Sequence, residues 1–146
     1  MSDEILPILS EKDLQFLVAL NASEESFLFQ LLSDIEGRLP SSSRTAVLGT
    51  LKKIVHNFLI DDIISLCRRI LAQHIDLNLE EASKVIESDI EWQLNHESND
   101  SSHCYLYLTN NGFWMWENGF PDLTRERENF LVFEQANENN RRIKGR

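Results

Sequence analysis

His103-Cys104-Tyr105-Leu106-Tyr107-Leu108-Thr109 and Phe113-Trp114-Met115-Trp116-Glu117 are two aromatic-rich runs, separated by Asn110-Asn111-Gly112. Both runs favour pleated backbone, and the Asn-Asn-Gly between them tolerates positive φ, so the stretch predicts a β-hairpin. Alternation places Cys104, Leu106 and Leu108 on one face of the first strand, with Tyr105, Tyr107 and Thr109 on the other. On the second strand Trp114 and Trp116 alternate against Phe113 and Met115. Neither face is polar. Either other elements cover both faces as core, or one stays open as a recognition surface, where Tyr and Trp are common anchors. Beyond it, Asn118-Gly119 and Pro121 mark a second turn, and Leu123 to Glu134 reads as a helix or as a third strand through Phe130 to Phe133.

Upstream the period changes to that of helices. Ser10 with Asp13 is a variant helix-start box, and Leu14, Leu17 and Val18 recur at helical spacing. Ser23 precedes the acids Glu24 and Glu25, which suit the positive end of a second helix, and Leu28, Leu31, Leu32 and Ile35 form its apolar stripe. Gly37 and Pro40 stop it. Ser42 or Ser43 opens a third helix, with the stripe Val47, Leu48, Leu51, Ile54, Val55, Phe58 and Leu59. From Asp61 to Gln73 the residues Ile63, Leu66, Cys67, Ile70 and Leu71 fit a helix capped by Asp61. The run from Ile60 to Leu66 is also β-branched enough for a strand, but period favours the helix. Asn78 with Glu81 starts another helix, with Ala82, Val85, Ile86 and Ile90 inward and the acids Glu80, Glu81, Glu87, Asp89 and Glu91 against a single Lys84. Positions 95 to 102 read as a polar loop. The fold class expected is therefore mainly α, as α+β: a helical N-terminal two-thirds followed by a C-terminal β-hairpin.

A chain of 146 residues with no low-complexity linker suits one domain over residues 1–146, with flexible ends at 1–9 and 138–146. Hydrophobic residues make up 42%, enough for a core without disulfides or a structural metal. The net charge is −10 and the pI about 4.8, a field that repels phosphate backbones and anionic lipid and attracts basic partners. Lys52, Lys53, Arg68 and Arg69 form one basic segment, and Arg141, Arg142, Lys144 and Arg146 a basic tail. The acidic start Met1-Ser2-Asp3-Glu4 is unlike a signal peptide, and Asp61-Asp62 and Arg68-Arg69 interrupt the most apolar region before it reaches a membrane span. Two cysteines make no disulfide framework. The expected location is cytoplasmic.

No motif for chemistry emerges. His96 and His103-Cys104 are the one grouping that suggests a metal, but neighbours on a strand point to opposite faces, and no zinc-knuckle spacing or His-Glu-x-x-His is present. His56 and His74 stand apart in sequence. Cys67 lies on an apolar stripe where a thiol is inert packing, and the chain has neither a Gly-x-Ser-x-Gly elbow nor a phosphate-cradling glycine loop. Asp61-Asp62 is explained by capping, and no carboxylate pair of the glycosidase kind stands out. The reading is a non-enzyme with no cofactor and no metal.

The run Tyr107-Leu108-Thr109-Asn110-Asn111-Gly112, followed by Trp114 and Trp116, resembles the wing of winged-helix proteins, where a Leu-Thr-x-x-Gly turn joins two strands. That resemblance implies a winged-helix-like domain from about Arg44 onward and DNA binding through its third helix. The helix before the hairpin is acidic and the wing tip carries asparagines, so the cations that meet phosphate are missing. A small acidic chain without an active site is similar in type to bacterial immunity proteins, which block a cognate toxin. The expected function is a toxin-neutralising, protein-binding module that occludes a basic partner, with Glu87, Asp89 and Glu91 meeting the partner's cleft and Tyr105, Tyr107, Trp114 and Trp116 anchoring it. The alternative is a winged-helix DNA-binding regulator in which Lys52, Lys53, Arg68, Arg69 and the tail converge. Oligomeric state is left open by the sequence.

Overall fold

A computed structural model describes residues 10–38, 44–70, 73–93, 104–125, 127–129 and 131. It is mainly helical with a small antiparallel sheet, helices first and strands later. Helix α1 spans Glu11–Ser23, and its start is the expected box: the Ser10 hydroxyl accepts from the Asp13 N–H, and the Asp13 carboxylate accepts from the Ser10 N–H at 2.7 Å. Leu14, Leu17 and Val18 are buried. Ser23 does not open the second helix but closes α1, donating its hydroxyl to the Leu20 carbonyl at 2.6 Å. Glu25 takes φ 57°, its N–H bonds Ala22 O, and Ser26 N–H bonds Asn21 O. This is a Schellman ending with glutamate where glycine is usual. Helix α2, Leu28–Glu36, then starts behind Phe27, and Leu28, Leu31, Leu32 and Ile35 are buried as their spacing requires.

Helix α3, Arg44–Ile60, carries the long stripe: Leu51, Ile54, Val55 and Phe58 are buried, and Val47, Leu48 and Leu59 pack partly against the same core. It ends in a second Schellman motif. Asp62 takes φ 60°, its N–H bonds Leu59 O, and Ile63 N–H bonds Phe58 O at 2.9 Å. The turned chain leaves as a strand, so the helix expected over Asp61 to Gln73 is corrected. Strand β1 is Ile64–Ile70, and β2, Gln73–Asp76, pairs with it antiparallel, with Cys67 opposite Asp76. The apolar positions of this stretch satisfy both periods, and the αL turn at Asp62 decides between them by ending the helix. Helix α4, Leu79–Glu87, opens on the Asn78–Glu81 box and buries Ala82 and Ile86. It stops at Glu87, so Asp89 and Glu91 lie beyond it. Glu91 belongs to a single 3₁₀ turn, Ile90–Trp92, whose Trp92 is buried and donates Nε1–H to Ile86 O at 3.0 Å.

Strand β3, Cys104–Leu108, joins β1 on its other side, giving the order β2-β1-β3. Its outer edge is closed by the stretch between α1 and α2, where Leu106 N–H bonds Ser26 O and Phe27 bridges Tyr105. The expected hairpin partner is absent. Phe113 to Glu117 instead lie in helix α5, Asn110–Glu117, with Thr109 as N-cap accepting from Gly112 N–H at 2.9 Å. Over so few aromatic residues a period of two and a period of 3.6 look alike; the Thr cap breaks the tie. Asn110-Asn111-Gly112 is therefore the first helical turn and not a hairpin loop. The segment that carried the resemblance to a wing is a strand running into a helix.

Ile64, Leu66, Cys104 and Leu106 on one face of the sheet join one apolar cluster with α1, α2, α3 and Leu131. Past the Phe120–Pro121 bond, which is cis, the chain returns over this core. Residues 125, 127–129 and 131 are helical, the first of the two alternatives for that region. Two arginines fasten it. Arg127 pairs with the buried carboxylate of Asp13, with Nε to Oδ1 at 2.8 Å, and Arg38 donates to Leu131 O at 2.8 Å. Burial draws the Asp13 carboxyl upward, but the Arg127 guanidinium and the Ser10 N–H outweigh it and hold it below the usual carboxylate range. No helix among the described residues is long and apolar enough to cross a membrane. Several expectations lie outside the described residues: the ends at 1–9 and 138–146, the basic tail, Pro40, Ser42, Ser43, Leu71, the loop at 95–102, His96, His103, Phe133 and the side chains of Arg69, Ile90 and Phe130.

Two substitutions test this frame. A Cβ on Gly112 would be driven into the Ile63 carbonyl, whereas one on Gly49, inside α3, meets nothing within 4 Å. Gly112→Ala should cost about 3 kcal/mol or more and Gly49→Ala should stabilise by about 0.5–1 kcal/mol, both read from urea unfolding. Arg127→Met leaves Asp13 buried and unpaired and should cost about 3 kcal/mol at pH 7. Because the folded Asp13 carboxyl is lowered, its stabilisation is present above the ordinary value of 3.8 and is lost as pH falls through the folded value. The gap between wild type and Arg127→Met should therefore narrow on acidification to pH 3.

Candidate functional site

Helix α5 presents two unlike faces. Met115 and Trp116 turn toward the core, where the Trp116 ring lies 5.4 Å from that of Phe16. Phe113 and Trp114 turn outward and, at 57% and 64%, are the most exposed large apolar side chains among the described residues. What aims them is the main chain. Thr109 Oγ1 donates to Asp62 O at 2.6 Å, Asn111 Nδ2 donates to the same carbonyl at 3.0 Å, and Gly112 rests against Ile63. Beside the helix runs an open groove of about 200 Å³, walled by Tyr107, Leu108, Phe113 and Trp116 with Glu25 and Glu117 at its rim. Aromatic walls under carboxylates make a site for a cation carried on an apolar stem.

The second arrangement lies on the sheet face opposite the core. Register places Ser65, Cys67, His74, Asp76, Tyr105 and Tyr107 there together, since Cys67 faces both Asp76 and Tyr105, and Ser65 faces Tyr107. The Tyr105 hydroxyl meets His74 Nδ1 in a short hydrogen bond and accepts from the Cys67 thiol at 3.4 Å. His74 Nε2 is 3.3 Å from Asp76 Oδ1, and the Tyr107 hydroxyl donates to that same oxygen at 2.6 Å. Cys67 and Tyr105 are buried, while the His74 and Asp76 side chains are about half exposed, at 50% and 59%. One donor atom each from Cys67, His74 and Asp76 lies within 4.8 Å of the other two, a thiol, imidazole and carboxylate set able to hold a metal ion. As a nucleophile Cys67 is poorly placed, because burial pushes its thiol up before the Tyr105 hydroxyl can draw it down. Burial, and then the charge of Glu91, pushes Cys104 up to about 12. The two thiols alternate to opposite faces of the sheet.

The residues named from sequence divide between these places. Trp114 is exposed, Trp116 and Tyr107 are half-buried walls of the groove, and Tyr105 is 3% exposed, its ring edge-on to Phe27. The open hairpin face expected for Tyr105 is thus corrected, because Phe27 and β1 cover it. Glu87, Asp89 and Glu91 do not form one acidic helical face. Asp89 binds Lys52 at 2.6 Å, and Glu91 accepts from Cys104 N–H at 3.1 Å and lies 3.8 Å from Arg68. Two cations that DNA binding would require are thereby turned toward carboxylates. Sequence reasoning missed Phe113, which a strand would have placed opposite Trp114, and it missed the gathering of Cys67, His74 and Asp76. The available signal was His74-x-Asp76, two polar donors at strand spacing.

Comparison with protein-family models, with curated proteins and with solved structures finds no match. The site therefore rests on its own residues. Because both cysteines are fully buried and lie in paired strands, alkylation by iodoacetamide at pH 8 should proceed only as the sheet opens. The label should appear with the urea unfolding transition and not before it.

Proposed function

We propose that this chain is a non-enzymatic protein-binding module that occludes a basic partner, in the manner of a toxin-neutralising immunity protein. The observation that carries the reading is the outward pair Phe113 and Trp114, of which Phe113 also lines the acidic aromatic groove. Exposed aromatics held on a capped helix lose little entropy on contact, and such residues supply the anchors of protein interfaces. A lysine or arginine of the partner enters the groove, its stem against Tyr107 and Trp116 and its charge toward Glu25 and Glu117. The net charge of −10 steers that encounter.

Glu25 adds a structural argument. It holds a left-handed backbone that only a few residue types adopt readily, at a cost of about 1 kcal/mol relative to glycine. A carboxylate kept at the groove rim against that cost suits a recognition role. Glu87 is exposed at the end of α4 and Asp89 is exposed while it binds Lys52, whereas Glu91 is mostly covered beside Arg68 and Cys104.

The test is co-purification from the native host with wild type and with a Phe113→Ala, Trp114→Ala double variant. The captured partner should be basic, and the double variant should lose about 2 kcal/mol or more of binding, roughly thirtyfold, with its unfolding midpoint nearly unchanged. Association should slow steeply with added salt. Tight binding of duplex DNA at physiological salt would overturn the reading in favour of a nucleic-acid regulator.

A further inference from the structure

Strand β2 poses a problem of anchorage. All four of its residues are exposed, it is the edge strand, and no buried side chain of its own fastens it to the core. What crosses from it to the rest of the sheet, besides the ladder with β1, is the polar cluster of His74 and Asp76 with Cys67, Tyr105 and Tyr107. We propose that Cys67, His74 and Asp76 form a binding site for one zinc-type divalent ion, which staples β2 to the sheet and leaves a fourth coordination position facing solvent.

The donor set fits that ion. Thiolate, imidazole and carboxylate are all zinc ligands, and three protein donors with one open position is a common arrangement. Around a tetrahedral zinc, neighbouring donors lie roughly 3.5 Å apart, given bonds of about 2.0–2.3 Å. His74 Nε2 and Asp76 Oδ1 are already 3.3 Å apart, and a contraction of about an ångström from the 4.8 Å limit brings the set into range. Two of the donors sit on a half-exposed strand that can make that adjustment, and the third forms a buried floor. Charge balances as well. Zinc displaces the thiol proton of Cys67 to solvent, and the resulting thiolate with the Asp76 carboxylate offsets the two positive charges.

The surroundings are those a ligand histidine needs. Ligand imidazoles commonly hydrogen-bond a second group through their other ring nitrogen, which fixes tautomer and orientation. Here Nε2 is the ring nitrogen beside Asp76 Oδ1, and Nδ1 is held by the buried Tyr105 hydroxyl. Tyr107 orients the Asp76 carboxylate by donating to Oδ1, the oxygen that faces His74. Cys104, on the opposite face of the sheet, takes no part.

Titration of the metal-free full chain with Co²⁺, a spectroscopic substitute for zinc, tests the proposal. One equivalent should bind with thiolate-to-metal charge-transfer absorption, be displaced by Zn²⁺, and slow amide exchange in β2. The absorption should vanish in Cys67→Ser and His74→Ala and survive Cys104→Ala. Tyr105→Phe should keep the band with affinity lowered about 10–100-fold. Because His74 and Asp76 are exposed, His74→Ala and Asp76→Asn should fold even where Cys67→Ser does not, which keeps the test open. No binding at micromolar Co²⁺, or a band that persists in His74→Ala, overturns the proposal and leaves the cluster as a hydrogen-bonded brace.

Discussion

The junction of Asp62 and Ile63 with Thr109 and Gly112 is the constraint on which the rest of the molecule depends. Four elements end or begin there: α3, β1, β3 and α5. Asp62 turns left-handed to release the chain from α3, and the carbonyls of Asp62 and Ile63 then accept from Thr109 and Asn111. Gly112 supplies the missing Cβ that lets α5 sit directly on Ile63. One knot of backbone and cap therefore sets where the sheet starts and which way the aromatic helix points.

That knot also explains what was legible in the sequence and what was not. Caps and stripes carried by local spacing were readable: Ser10 with Asp13, Asn78 with Glu81, and the stripes of α2 and α3 stand where spacing puts them. The errors cluster where local pattern fits two periods and a distant contact decides. Ile64 to Ile70 and Phe113 to Glu117 are apolar enough for strand or helix, and spacing alone assigns each to the element the other forms. The αL turns at Glu25 and Asp62 carry no glycine to announce them, so the spacing predicts a new helix directly after each where the chain runs extended first. With β1 read as helix, no register linked Cys67 to Asp76, and the polar cluster could not be assembled from sequence.

Charge in this protein is more organised than its total suggests. Asp13, Asp34, Asp89 and Glu91 each have an arginine or lysine within ion-pair reach, so they brace the fold instead of forming a free acidic face. The carboxylates that remain near the groove, Glu25 and Glu117, are fewer but better placed for contact, since they flank aromatic walls. Tyr107 links the two functional regions: it is among the residues lining the groove, and its hydroxyl orients Asp76 in the other arrangement. Occupancy of one is mechanically adjacent to the other.

The close seating of Gly112 on Ile63 has an evolutionary corollary. Because Gly112, the Thr109 and Asn111 bonds and the inward Met115 and Trp116 hold α5 in place, its outward residues carry little of the burden of folding. Phe113 and Trp114 can be exchanged for other side chains without moving the scaffold beneath them. A lineage under pressure from changing partners could rewrite this short helix letter by letter, retaining the platform while the specificity drifts.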